Sequence, residues 1–190
     1  MPMIQKAVNE SNFSLSDFTS IAVTIGPGSF TGLRIAMAAA KGLAISQDIP
    51  LIGISCFEAV AQRVNQADRA LPYDILLIAL NSKREDLYLE CRDALNKKVI
   101  PGGAFNSDLF FVKLKKLIGR DTNIRVIGDG CEQLLERVPA DIYDNFLAVN
   151  EKDKEPLNVR DVAHCAYNET SVSIENIRKN MPRLTIDYLR

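Results

Sequence analysis

Tryptophan is absent from the chain and histidine occurs once, as His164. A single histidine excludes the H-E-x-x-H and H-x-x-x-H pairs of zinc hydrolases. No G-x-S-x-G elbow occurs, since Gly26-Pro27-Gly28-Ser29 matches one only in appearance, and no catalytic nucleophile is assigned. The four cysteines, Cys56, Cys91, Cys131 and Cys165, are scattered and form no C-x-x-C pair, which excludes a disulfide framework and points to reduced thiols. Neither sign of charge is in excess: 23 basic residues face 24 acidic ones. That balance excludes a broad electrostatic grip on nucleic-acid phosphates by this chain alone. No apolar run is long enough to span a bilayer and no charged-then-apolar leader opens the sequence, so cytoplasm without membrane contact is the expected location.

What is present is a core-forming composition, with 190 residues of which 47% are hydrophobic, enough for one large domain or two lobes. Periodicity and breakers predict a helix over Met1 to Glu10, a strand Ser20 to Ile25, a glycine turn, and a helix from about Thr31 to Ile45. A strand Leu51 to Ser55 and a helix Phe57 to Arg69 follow. After Pro72 the pattern becomes a hairpin, Ile75 to Leu80 and Leu87 to Arg92, with a third short strand near Lys98 to Ile100. The earlier order then returns: helix Ser107 to Ile118, strand Ile124 to Ile127, turn Gly128-Asp129-Gly130, helix Cys131 to Arg137, strand Asn145 to Val149 and helix Leu157 to Asn168.

The second half echoes the first in letters as well. Thr19-Ser20-Ile21-Ala22-Val23-Thr24-Ile25-Gly26 runs close to Thr122-Asn123-Ile124-Arg125-Val126-Ile127-Gly128, and each segment leads into a glycine turn and a helix. The expected organisation is therefore a first lobe over residues 1–72 and a second lobe with a C-terminal tail over 73–190. The second lobe opens with three strands that the first does not show. The strand Ser20 to Ile25 is thus expected to have an unpaired apolar edge, covered by upstream residues or by another chain.

The turn Gly26-Pro27-Gly28 invites a phosphate reading, because backbone N–H groups at a helix start attract anions. Its details do not match: a Walker loop needs Gly-Lys-Ser/Thr, whereas Leu33 follows Gly32, and Gly26, Gly28 and Gly32 give a spacing one residue longer than the dinucleotide fingerprint. Turn chemistry explains the glycines, with Ser29 or Thr31 capping the helix. It leaves Gly32, Ala36 and Ala40 one turn apart on a single stripe, with Ala39 beside them, where a neighbouring backbone can approach closely.

The run Gly26 to Arg34, "GPGSFTGLR", followed by "IAMAAAKGLA", resembles the signature of the TsaB/YeaZ family. Similar residues continue at Met3-Ile4, Ser14 to Asp17 and Ile52 to Ser55, and at the end in Pro182 and Tyr188-Leu189-Arg190. The resemblance implies an α/β fold of the two-lobed actin/Hsp70-like, ribonuclease H-like kind, with the first lobe truncated at its N-terminus. It implies a non-catalytic role in threonylcarbamoyladenosine modification of tRNA, beside a catalytic TsaD subunit and a TsaE ATPase, with a homodimer when alone and tRNA contacted only indirectly. It places the partner interface at Gly28, Ser29, Phe30, Thr31, Gly32, Arg34, Ala36, Ala39 and Ala40. It assigns no cofactor or metal. An active relative would carry an Asp-x-Gly turn near Asn81-Ser82-Lys83-Arg84, where this chain has Asn81 and no glycine. The rivals are a nucleotide-dependent kinase or ATPase on the same fold and a dinucleotide enzyme using Gly26, Gly28 and Gly32. Lys113, Lys115, Lys116 and Arg120, and Arg178, Lys179 and Arg183 in the tail, read as solvated faces.

Overall fold

Local rules account for most element boundaries in the computed structural model, which describes residues 2–67 and 72–170. Helix α1 (Pro2–Glu10) is followed by strand β1 (Ile21–Gly26), helix α2 (Phe30–Gln47), strand β2 (Leu51–Ser55) and helix α3 (Cys56–Ala67). Strands β3 (Ile75–Asn81), β4 (Leu87–Asp93) and β5 (Lys98–Phe105) lead to helix α4 (Ser107–Leu114), strand β6 (Ile124–Ile127), helix α5 (Cys131–Leu135) and helix α6 (Val159–Thr170). Ser29 starts α2 by accepting a hydrogen bond from the Gly32 N–H at 3.3 Å. Asp48 ends it in the left-handed conformation. The tail residues Arg178, Lys179, Pro182, Arg183, Tyr188, Leu189 and Arg190 lie outside the described residues, as does the end of the helix expected to reach Arg69.

The described chain divides into two compact units, Met1–Cys56 with the part of α6 from Val162, and Phe57–Asp161. In the first, β1 and β2 pair in parallel, with Ile21 opposite Leu51 and Thr24 opposite Ile54. Leu51 and Val23 pack with Met37, Ala40 and Ala44 of α2 into a small core.

The second unit holds a four-stranded sheet in the order β5-β4-β3-β6, with β3 parallel to β6 and antiparallel to β4. Ile75, Leu77 and Ala79 of β3 meet Phe110, Phe111 and Leu114 of α4 and Leu134 of α5 on one face. Strand alternation puts Leu76, Ile78 and Leu80 on the other face, where they are also buried. Glu90 and Arg92 share that second face, each 1% exposed. The Arg92 guanidinium donates to Glu90 at 2.7 Å and reaches Glu58 of α3 at 2.8 Å. A buried charge is tolerated when it is paired in this way. This pairing ties α3 to the sheet.

One expected strand is absent. Residues 145–149 form no strand; a 3-10 turn over Ala140–Asn145 leads into a single bridge from Ile124 to Phe146. The apolar letters there are spent differently, because the Asn145 side chain donates to the carbonyls of Gly119, Arg120 and Thr122 and anchors the preceding loop. Asn150 and Asp153 then cap each other's backbone and turn the chain away. The third strand is longer than expected, since Pro101, Gly102 and Gly103 continue β5 beside register shifts in β4 instead of ending it.

The glycine turn of the second unit is sterically required. Gly128 has φ +110°, and a Cβ there would lie 2.2 Å from the Ala79 carbonyl oxygen. Replacing Gly128 with Ala is expected to cost about 2–4 kcal/mol in urea unfolding. A loss under about 0.5 kcal/mol would show that the turn relaxes freely.

Candidate partner-docking helix

Helix α2 is apolar on nearly every side, yet only one side is covered. Leu33, Met37, Ala40 and Ala44 recur at helical spacing and are buried against β1 and β2. The opposite side presents Thr31, Ile35, Ala38, Gly42 and Ile45, spaced by four, three, four and three residues, all exposed. Ile35 is 66% and Ile45 71% exposed. Between them a Cβ added at Gly42 would meet nothing within 4 Å. Two isoleucines thus flank a shallow stretch of Ala38 and Gly42, into which the ridge of another helix can settle. Phe30, half exposed, extends the apolar strip at the N-terminal end, and the Arg34 guanidinium stacks over its ring at 3.9 Å.

Among the interface residues expected from the sequence, Gly28, Ser29, Phe30, Thr31, Gly32 and Arg34 are exposed around the helix start. Ala36 and Ala39 are half-buried at the flanks, with Ala36 packed against the small core. Ala40 is 7% exposed and belongs to that core, so it is not accessible to a partner. The accessible ridge is therefore rotated by about one residue from the expected stripe. Its members Ile35, Ala38, Gly42 and Ile45 lie outside the set expected from the sequence. The signal was there in their heptad-like spacing, which runs parallel to that of the core face.

All four cysteines are buried. Burial pushes the Cys91 thiol up, and burial, with Asp153 and Asp129 nearby, pushes the Cys131 thiol up to about 12. His164 is exposed on α6. The loop Asn81 to Asp86 is tied down: the Asn81 side-chain oxygen accepts from the Lys83 N–H at 2.7 Å, and the Asn81 N–H donates to Asp129 at 2.9 Å. Gln133 and Arg137 of the α5 region both donate to the Glu85 carbonyl. No described helix is long and apolar enough to cross a membrane.

Residues 1–96 match the family model described as TsaD: tRNA N6-adenosine threonylcarbamoyltransferase. The chain is 43% identical over 74 residues to the tRNA threonylcarbamoyladenosine biosynthesis protein TsaB of Escherichia coli (strain K12). That match covers 37% of this chain but only 32% of the relative, so it concerns one region of a longer protein. The TsaB protein of Buchnera aphidicola subsp. Schizaphis graminum is 27% identical over 175 residues, covering 90% of this chain and 77% of the relative. The solved YeaZ of Pseudomonas aeruginosa superposes over 99% of this chain and 81% of its own, with a TM-score of 0.65 at 17% identity. That likeness over 99% of the chain, together with the family-model match, establishes an α/β fold of the actin-like kind.

Two outcomes follow for α2 and the thiols. Ala38→Arg is expected to leave urea stability within about 0.5 kcal/mol, whereas Ala40→Arg should cost about 3 kcal/mol or more by burying an unpaired charge. Thiol labelling of the native chain should stay well below one equivalent until denaturant exposes all four cysteines.

Proposed function

Because the chain belongs to the TsaB/YeaZ branch of the TsaD family, we propose that it binds and activates a separate transferase subunit of TsaD type. In this reading it serves threonylcarbamoyladenosine modification of tRNA as a non-catalytic scaffold, and the partner carries the transfer chemistry. The observation that carries the reading is the exposed apolar ridge Ile35, Ala38, Gly42 and Ile45 on α2. A soluble helix with an apolar face left in water loses the burial energy of that face until something covers it. Docking a helix of the transferase there, or of a second copy when the transferase is missing, removes that surface from water.

The residues that would be needed for independent chemistry support the same division of labour. Asn81 stands where a catalytic turn would need a carboxylate, and its side-chain oxygen is committed to the Lys83 N–H. The buried thiols are poor nucleophiles at neutral pH. A TsaE-type ATPase completes the proposed assembly, and tRNA meets the assembly chiefly through the transferase.

The test is pairing of the purified chain with a TsaD-type subunit. Ala38→Arg and Gly42→Leu, both on the open ridge, are expected to weaken pairing by about 30-fold or more, equivalent to roughly 2 kcal/mol. Pairing at wild-type strength in both variants would contradict the placement. Turnover of ATP or of a threonylcarbamoyl donor by the isolated chain would contradict the scaffold role.

A further inference from the structure

Helix α4 carries more apolar side chains than the second unit buries. Phe110, Phe111 and Leu114 are at most 1% exposed and fill the core on one face of the sheet. The outward side presents Leu109 and Val112, 66% and 56% exposed, with the exposed Lys113 and Lys116 beside them. At helical spacing these four are mutual neighbours, since Val112 and Lys113 follow Leu109 by three and four positions and precede Lys116 by four and three. Main-chain bonds from Lys115 to Phe111 and from Lys116 to Lys113 carry the helical course to the last of them. Neither packing nor propensity accounts for Val112, because valine is a weak helix former and gains little from burial there.

The charge on this face is positive. Lys115, on its flank, is matched by Asp141 at 2.7 Å. The Lys113 ammonium lies over the Phe105 ring at 4.8 Å, a contact that orients the cation without neutralising it. Among the described residues no acid lies within ion-pair distance of Lys113 or Lys116. Asp108 stands at the helix start, where it complements the dipole. Residues 171–190 of the same chain do not suit the face by charge, because Arg178, Lys179, Arg183 and Arg190 outnumber Glu175 and Asp187.

We propose that this face docks an acidic amphipathic helix of a partner protein, whose aliphatic side chains cover Leu109 and Val112 while its carboxylates reach Lys113 and Lys116. The apolar pair supplies surface to remove from water, and the lysines set the register and select against basic segments. Nucleic acid fits less well, because the centre of the face is aliphatic and the Phe105 ring, on which a base could stack, is packed against the core and covered by Lys113. An anionic membrane surface would be repelled by Asp108 and Asp141 on the flank they share with Lys115. The face lies wholly in the second unit, and the proposal is independent of the α2 ridge.

The probe is a synthetic helical peptide with leucine along one face and glutamate on both sides of it, titrated against the full chain by fluorescence anisotropy. A twin peptide carries lysine in place of glutamate. The glutamate peptide is expected to bind, and the double variant Lys113→Glu/Lys116→Glu to lose about tenfold or more in affinity for it. The lysine peptide should show the reverse preference, which an unfolded variant could not produce. Leu109→Ser should weaken the glutamate peptide by about threefold or more, whereas Ala38→Arg on α2 should not weaken it. No binding of the glutamate peptide, equal binding to the charge-reversed chain, or indifference to Leu109→Ser overturns the proposal. So does retention of polyuridylate or of phosphatidylserine vesicles through Lys113 and Lys116 while the peptide is ignored.

Discussion

Helix α2 is out of balance: it is apolar on nearly every side, and only the face of Leu33, Met37, Ala40 and Ala44 is buried. Met37, Ala40 and Ala44 are buried against the two parallel strands, and Leu33 is buried on the same face of the helix. Ile35, Ala38, Gly42 and Ile45 are left in water on the far side. Surface burial is the dominant favourable term in both folding and association, so the physics that folds this unit is the one the proposed docking would use.

The sheet of the second unit has no such imbalance. Helices lie against it, β3 is buried on both faces, and the charges of Glu90 and Arg92 are matched where they are buried. The loop after β3 is fastened at both ends by side-chain bonds to backbone groups. Under the proposed scaffold role, the second unit would supply stability and α2 of the first the affinity for a partner.

Much of this was legible in the letters. Strands β2 and β6 have the expected bounds because proline, glycine and short β-branched runs punctuate them unambiguously. The echo between the two halves has its counterpart in backbone geometry at Gly26 and Gly128. Residues 145–149 were read as a strand because their apolar content fits one, but the hydrogen bonds of Asn145 and the Asn150–Asp153 turn are tertiary facts that no local pattern announces. The exposed face of α2 differs from the small-residue stripe for a more general reason. Helical spacing states which residues share a face, and when every face is apolar it does not state which one meets the core. Ala40 and Ala38 are equally small; only packing against Val23 and Leu51 decides that the first is inside.

The most direct measurement is a side-chain footprint of the chain, by hydroxyl radicals, alone and paired with a TsaD-type subunit. Ile35 and Ile45 should be strongly modified in the free chain and shielded in the pair, with Met37 protected in both states. Continued modification of Ile35 and Ile45 in a stable pair would place the partner elsewhere and contradict the account.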